Sequence, residues 1–280
     1  MKSLLIAAAV LALPGSALAQ QPAREVSIPS GDAVLSARVL EGVGEGARPA
    51  IILFNGFPAG PGVPRIATEL QAGGYTVLLP QYRGTGTSGG VVSVRNSRED
   101  GAAAVAWLKG AEAERVDTAR IGVLGVSYGG WVALQTAASD HSIGCVVALV
   151  PADMGVIGAR WAVDAAYRTA WKTDLDDIAA QPAAARFGDG GVDAFMAEAV
   201  ADADRHRLTA RASDLTARPI FVAGGRRDPA APFAEHYAPL VQALRTANAP
   251  FTALEFNGGH NPSEAAAAAR SFIERSCFAA

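Results

Sequence analysis

The sequence predicts an α/β fold: one sheet of about eight mostly parallel strands, with helices on both faces and a helical insertion. Short runs that are apolar at every position, such as residues 51–54 and 145–150, are typical of strands buried on both faces. Longer patterns of helical period alternate with these runs along most of the chain. This alternation favours a parallel sheet covered by helices on each side.

The strands and helices can be placed in order. The first two predicted strands, 25–28 and 33–40, have no helix between them and are expected to form an antiparallel hairpin over the turn at 29–32. The other strands are predicted at 50–54, 76–80, 120–126, 143–150, 219–223 and 251–256. Helices are predicted at 62–72, 97–110, 128–138, 232–248 and 262–277.

Residues 151–217 interrupt the alternation. They show no strand pattern and are rich in Ala, Asp and Arg, so about three helices are predicted there. Ligands bind at the carboxyl ends of the strands in open α/β sheets. A helical insertion at this point is therefore expected to cover a site as a lid. A second small domain with its own function is the alternative.

The N-terminal segment has the order of charge, apolar core and small residues that is typical of a secretory signal peptide. Lys2 precedes ten apolar residues at 4–13, and a Pro-Gly pair and the triplet Ala-Leu-Ala follow them. Residues 1–19 are predicted to be removed near Ala19-Gln20, leaving a secreted or periplasmic domain of 20–280. A buried N-terminal helix is the alternative. No later segment has the roughly 20 apolar residues that a membrane-spanning helix needs.

Charge and motifs exclude several partners. The chain has 24 Lys and Arg against 27 Asp and Glu, a formal charge of −3, and no basic run, so no nucleic-acid partner is expected. Residues 84–89 match Gly-x-Gly-x-x-Gly, but Val91-Val92-Ser93-Val94 follows, which is no helix start. Without a P-loop or zinc motif either, the sequence predicts no cofactor and no metal.

The strongest motif is Gly125-Val126-Ser127-Tyr128-Gly129, between an apolar strand pattern and a helical one. A Gly-x-Ser-x-Gly in this context is a nucleophile elbow, a turn so sharp that side chains at the glycine positions would collide with backbone. The serine hydroxyl then projects at a helix N-terminus, where amides and the helix dipole favour negative charge. Ser127 is therefore the predicted nucleophile.

A serine nucleophile needs a base and a carboxylate that orients it. Among the histidines, only His260 lies in a glycine-flanked loop between a predicted strand and helix; the others are interpreted as surface or packing residues: His141, His206 and His236. Asp228 follows the preceding strand in a loop with Gly-Gly and Pro, and the order Ser127, Asp228, His260 fits this architecture. Asp153, after the strand ending at 150, is the competing acid; helix capping is its alternative role.

These motifs make the sequence similar to the α/β-hydrolase superfamily, in the branch of dienelactone hydrolase-like esterases and prolyl-oligopeptidase-like serine peptidases. The similarity rests on Asn55-Gly56-Phe57-Pro58, on residues 82–90, and on the serine, aspartate and histidine loops. It implies an α/β-hydrolase fold and an oxyanion hole formed by the backbone N–H groups of Phe57 and Tyr128. Asn55 stands where the family usually has histidine, and the large N-terminal propeller of the peptidases is missing.

The sequence thus predicts an exported serine hydrolase that cleaves small or medium carboxylic esters through an acyl-enzyme. Ser127 attacks, His260 transfers the proton and Asp228 orients His260. A peptidase acting on short peptides is the first alternative. A non-catalytic binding protein that kept the fold is the second.

Two further features stay open at this point. Cys145 and Cys277 could form one disulfide, which export permits, or remain two separately buried thiols. If 158–172 is one helix, Trp161, Tyr167 and Trp171 share a face. Such a face usually packs an insertion onto its domain; our hypothesis is that part of it, with Trp161, also lines an apolar acyl pocket.

Overall fold

A computed structural model describes residues 23–58, 60 and 62–278. Eight strands form a single sheet in the order β1-β2-β4-β3-β5-β6-β7-β8. The pairs β1–β2 and β2–β4 are antiparallel, and all other neighbouring pairs are parallel. The predicted fold class and the N-terminal hairpin are therefore confirmed. The predicted signal peptide, residues 1–19, lies outside the described residues.

Each strand overlaps one of the eight strands predicted from the sequence. Their bounds are β1 Arg24–Ser30, β2 Ala33–Leu40, β3 Arg48–Phe54, β4 Thr76–Pro80, β5 Val116–Val126, β6 Cys145–Leu149, β7 Ile220–Gly225 and β8 Phe251–Phe256. All five residues of β4 and of β6 are buried. This burial on both faces explains why these strands show no apolar-polar alternation.

Nine α-helices lie in the described part of the chain: α1 Arg65–Ala72, α2 Val94–Gly110, α3 Tyr128–Ser139, α4 Met154–Val163, α5 Ala165–Ala179, α6 Gly191–Ala201, α7 Ala203–His206, α8 Tyr237–Thr246 and α9 Ser263–Phe272. A 3₁₀-helix, Leu208–Leu215, follows α7, and a π-helical turn, Ile273–Cys277, follows α9. No described helix is both long enough and apolar enough to cross a membrane.

Two hydrophobic clusters cover the two faces of the sheet. Alternate residues of β3 divide between them: Ile52 and Phe54 join the cluster that contains α2, α3 and α8, whereas Ile51 and Leu53 join the one that contains α1 and α9. The insertion packs on the first cluster. It follows β6 and precedes β7, next to the carboxyl ends of the central strands.

The helix predicted at 232–248 begins five residues later than expected, at Tyr237. The amides of Glu235 and His236 both donate to the carbonyl of Pro232, so this stretch forms a turn. The later start places Pro239 in the first turn of α8, where its missing N–H leaves no hydrogen bond unmade. In a helix that began at 232, Pro239 would lie in the interior and break it.

The insertion contains four α-helices and the 3₁₀-helix, where about three helices were predicted, and residues 158–172 do not form one helix. The break is at Asp164, whose carboxylate accepts the Tyr167 N–H at 3.0 Å and caps α5. Aspartate is among the residues that most favour this capping position. The break changes which side chains share a face, so the predicted aromatic face does not form as one unit.

Side chains at Arg186 and Glu198 connect the insertion to the rest of the molecule. The Glu198 carboxylate on α6 accepts the first two amides of α2, those of Val94 at 2.9 Å and Arg95 at 3.0 Å. A carboxylate at a helix N-terminus both satisfies free N–H groups and interacts favourably with the helix dipole. The guanidinium of Arg186 donates to the carbonyls of Gly86 and Ser88. α6 and the segment before it are thus fixed to α2 and to the loop that follows β4.

Cys145 and Cys277 form a disulfide across 132 residues of sequence. Cys145 opens the central strand β6, and Cys277 ends the π-helical turn after α9. Both side chains are buried in the second hydrophobic cluster. The bridge therefore ties the C-terminal helix to the middle of the sheet.

Candidate active site

Ser127 occupies a strained turn between β5 and α3. Its φ of +57° with ψ of −123° is a backbone conformation that residues other than glycine rarely adopt. A Cβ at Gly125 would lie 1.9 Å from the Gly129 carbonyl oxygen, and one at Gly129 would lie 2.1 Å from the Phe54 carbonyl oxygen. The two glycines of the motif are therefore required by the close approach of backbone on either side of the serine.

The structure brings the three residues of the predicted triad together. His260 Nε2 lies 2.7 Å from Ser127 Oγ, and His260 Nδ1 lies 2.7 Å from Asp228 Oδ2. The other carboxylate oxygen of Asp228 accepts the amides of Ala230 and Ala231, both at 2.9 Å. The carboxylate is thus held from both sides, and the imidazole can take a proton from the serine while Asp228 stabilises its positive charge.

Asp153, the competing acid, lies elsewhere in the network. Its carboxylate accepts the amides of Gly155 and Val156 at the start of α4 and that of Leu208 in the 3₁₀-helix. Burial raises the pKa of Asp153 to about 6, although these amides oppose the shift. The residue caps the first helix of the insertion, which was the alternative role predicted for it.

The amides of Phe57 and Tyr128 are free to act at the serine. Within the described residues, neither N–H donates to a protein acceptor. A Cβ built at Gly56 would lie 3.4 Å from Ser127 Cβ, so the loop after β3 passes directly beside the nucleophile. Tyr128 is the first residue of α3, where amides lack intrahelical acceptors. Both amides are therefore available to an oxyanion at this position.

A cavity of about 580 Å³ opens beside Ser127, between the sheet edge and the insertion. Its walls include buried apolar side chains from three different parts of the insertion: Met154 and Ile157 on α4, Leu175 on α5, Phe195 and Met196 on α6. Pro229, Ala230 and Pro232 of the loop after Asp228 close another side. A volume of this size is within the range of small-molecule sites.

Arg160 and Asp174 are the charged side chains on the cavity wall. The Arg160 guanidinium pairs with Asp164 and Glu235, with its carbon 4.4 Å from the centre of the Tyr167 ring. Its charge is thus balanced within the protein. Asp174 is exposed on α5. The surface next to Ser127 is consequently apolar, with charge confined to these two positions.

The sequence matches the X-Pro dipeptidyl-peptidase (S15) family over residues 32–213. This match covers more than half of the chain. The chain belongs to the S15 family. The predicted similarity to the serine hydrolases of the α/β-hydrolase superfamily is confirmed by this match together with the fold.

Other proteins resemble this S15-family chain over different lengths. A quorum-quenching protein of Acinetobacter baumannii is 30% identical over 136 residues, which are 45% of this chain and 43% of that protein. A polyketide transferase of a Penicillium species is 35% identical over 109 residues, 37% of this chain and 36% of its own. The chain thus matches less than half the length of these curated relatives.

Solved structures share the fold. An esterase of Pyrococcus furiosus superposes with a TM-score of 0.67 at 22% identity, over 92% of this chain and 93% of its own. An acylaminoacyl peptidase of Pyrococcus horikoshii superposes with a TM-score of 0.70 at 15% identity, over 93% of the S15-family chain but 42% of its own. The α/β-hydrolase fold of the S15-family chain is therefore found in both larger and similar-sized proteins.

The site also contains residues that sequence reasoning missed or misplaced. Trp161 is buried and is not on the cavity wall, whereas Tyr167 and Trp171 are, so the hypothesis for Trp161 is wrong.

Phe195 and Met196, about 70 residues beyond Ser127, lie on the cavity wall, although no sequence pattern indicated this position. His236, interpreted as a surface or packing residue, is buried beside the triad and so is not a surface residue; its Nδ1 lies 2.9 Å from the Asp153 amide nitrogen.

Acid should destabilise the S15-family chain partly through His236. Burial lowers the pKa of His236 to about 4, with Asp228 opposing the shift and His260 and Arg160 adding to it. The unfolded chain binds a proton at this residue below pH 6.5 while the folded chain stays neutral, so stability falls as the pH drops from 6.5 to 4. The contribution to the free energy of unfolding is up to about 3 kcal/mol.

Urea unfolding of the wild type and of His236→Asn at pH 7 and pH 4.5 tests this prediction. The wild type should lose about 2–3 kcal/mol more stability between the two pH values than the variant does. Asp153, with its pKa raised to about 6, acts in the opposite direction in both proteins, so the difference isolates His236. An equal loss in both proteins would contradict the prediction.

Proposed function

We propose that this protein is an exported serine hydrolase that cleaves carboxylic esters through an acyl-enzyme. The observation that carries the proposal is the aligned set of Ser127, His260 and Asp228 beside an apolar cavity, with 2.7 Å between each interacting pair. A hydroxyl in this arrangement becomes a nucleophile because its proton has an acceptor within hydrogen-bond reach.

Acylation begins with attack of Ser127 Oγ on the ester carbonyl carbon while His260 Nε2 takes the hydroxyl proton. The carbonyl oxygen becomes an oxyanion, and the amides of Phe57 and Tyr128 stabilise it. The intermediate collapses as the C–O bond to the alcohol breaks and His260 returns the proton to the departing oxygen. Ser127 is left carrying the acyl group.

Deacylation repeats the sequence with water. Water attacks the acyl carbon while His260 Nε2 takes one of its protons, and a second oxyanion forms at the same two amides. The bond between this carbon and Ser127 Oγ then breaks, the proton returns to Oγ, and the acid leaves. Asp228 accepts a hydrogen bond from the Nδ1–H of His260 throughout, so the imidazole keeps the tautomer that both steps need.

The character of the cavity favours an apolar acyl or alcohol group on the substrate. Its buried wall residues are aliphatic, thioether or aromatic side chains, and the charge of Arg160 is already paired. An ester with an apolar group can enter without losing hydrogen bonds to water that the wall would not replace. The superposition on the Pyrococcus furiosus esterase covers 93% of that protein, which agrees with this choice.

A peptidase acting on short peptides is the second candidate, because the matched family is described as X-Pro dipeptidyl-peptidase. The same triad would serve, with an amine in place of the alcohol as leaving group.

Export is supported by the predicted signal peptide and by the disulfide between Cys145 and Cys277, since structural disulfides form in oxidising compartments.

Initial rates on a panel of acyl esters of increasing chain length, beside aminoacyl arylamides, test the proposal. Turnover of esters without turnover of arylamides is the expected result. Turnover confined to arylamides would select the peptidase. A wild-type protein that neither turns over any substrate nor reacts with a fluorophosphonate would instead indicate a binding protein, and the proposal would fail.

Trp171→Ala should change the chain-length preference of the enzyme. Trp171 lies on the cavity wall, so its removal enlarges the cavity and takes contacts away from short acyl groups. The ratio of kcat/KM for long over short esters should rise by about tenfold or more. Trp107→Ala is the matched control, because Trp107 is half-buried on α2 and does not line the cavity. An unchanged ratio in Trp171→Ala would contradict the assignment of this wall.

A further inference from the structure

His236 is a buried imidazole next to the triad that the proposed reaction does not use. It directly precedes α8 and its side chain is almost wholly covered. Its Nδ1 lies 2.9 Å from the backbone nitrogen of Asp153 and accepts that N–H. Since Nδ1 accepts a hydrogen bond, the neutral ring carries its proton at Nε2. The bond therefore fixes both the orientation and the tautomer of the ring.

The donor amide belongs to a segment that also holds the nucleophile. In the residues that follow β6, the Ala152 N–H donates to the carbonyl of Ser127 at 3.0 Å, and the next amide, that of Asp153, donates to His236. The segment begins at Val150, whose φ of +44° is rare for a β-branched residue. Such strain persists only where the surroundings hold the backbone in place.

His236 also belongs to the chain segment that carries the catalytic acid. This short segment begins at Asp228 and ends at His236, whose backbone N–H donates to the Pro232 carbonyl at 2.9 Å. We call residues 228–236 the acid segment. Within it Asp228 is held by the amides of Ala230 and Ala231. The imidazole thus joins the acid segment directly to the strand end that holds Ser127.

We propose that His236 is a positioning residue: by accepting the Asp153 amide it fixes the acid segment against the end of β6 and keeps Asp228 in reach of His260. The proposal rests on the triad of the proposed function, but not on the choice of ester over peptide. Loss of the acceptor would leave a buried amide without a partner and free the segment to move. A displacement of about 1 Å in such machinery can cost on the order of 100-fold in rate.

The test compares His236→Leu with His236→Asn. The two side chains have the same number of heavy atoms, but only asparagine has an oxygen near the position of Nδ1 that can accept the Asp153 N–H. Two readouts are used on folded protein: the rate of Ser127 labelling by a fluorophosphonate, and the low-field NMR resonance of the proton between His260 and Asp228. Neither depends on which substrate the enzyme prefers.

His236→Leu should label about 10- to 100-fold more slowly than the wild type and should shift or lose the low-field resonance. His236→Asn should restore most of the labelling rate and the resonance. A folded His236→Leu protein that labels at the wild-type rate and keeps the resonance, even with lowered stability, would overturn the proposal and leave His236 a packing residue.

If His236→Leu does not fold, His236→Gln replaces it, because its amide oxygen lies one bond further along the side chain. Slower labelling of His236→Gln than of His236→Asn supports the proposal, and equal rates overturn it. Failure of the proposed function would look different: the wild type itself would not be labelled at Ser127.

Discussion

Ser127→Ala should reduce turnover of the best ester by about 10³- to 10⁶-fold while the protein stays folded. The variant loses the atom that forms the acyl-enzyme, but the amides of Phe57 and Tyr128 and the cavity remain. A residual rate above that of uncatalysed hydrolysis is therefore expected. Substrate binding should change little, because the hydroxyl itself contributes only a small part of the contact surface.

The control for Ser127→Ala is Ser263→Ala. Ser263 is exposed at the start of α9, three residues beyond His260, so the same substitution is made near the site without touching the triad. Since the triad acts as a unit, Ser127→Ala combined with His260→Ala should cost hardly more than Ser127→Ala alone. Undiminished turnover by Ser127→Ala would contradict the mechanism. So would a double variant whose loss in rate equals the product of the losses of Ser127→Ala and His260→Ala.

Cys145→Ala should lower the free energy of unfolding by about 2–5 kcal/mol. The disulfide closes a loop across 132 residues. In the chain-entropy description a loop of this length constrains the unfolded state by about 5 kcal/mol, and removing a buried sulfur atom adds a packing loss. Denaturant unfolding under non-reducing conditions measures the effect.

A double-mutant cycle separates the bridge from the packing of its two sulfurs. Either single variant already removes the bridge, so Cys277→Ala added to Cys145→Ala should cost only the packing of one more buried side chain. Reductant should destabilise the wild type and leave the double variant unchanged. Additive losses from the two substitutions would mean that no bridge contributes to stability.

Much of this fold could be predicted because burial on both faces leaves a direct trace in the sequence. The runs at 51–54 and 145–150 have no polar residue, and both are central strands. The elbow could be predicted for a similar reason: backbone approaches of about 2 Å from a hypothetical Cβ permit only glycine at positions 125 and 129. Close packing limits which residue types a position can hold, so the residues found at such positions predict the local structure.

The remaining features depend on contacts between distant segments. The disulfide needs the C-terminal turn to reach β6, and the cavity needs α6 to reach Ser127; neither leaves a local pattern. The starts of α5 and α8, by contrast, have a local signal in the sequence. Asp164 caps α5 and Pro239 must lie in a first turn, so both helix starts were encoded by residue types with known positional preferences.

The disulfide also closes a covalent ring within the chain. Residues 145–277 form a closed ring that contains the whole insertion together with Asp228 and His260, whereas Ser127 lies on the chain outside it. A single proteolytic cut in the insertion, for example between α5 and α6, would open the ring without releasing a fragment. The nicked protein would run as one chain without reductant and as two with it, with every triad residue still attached to the same molecule.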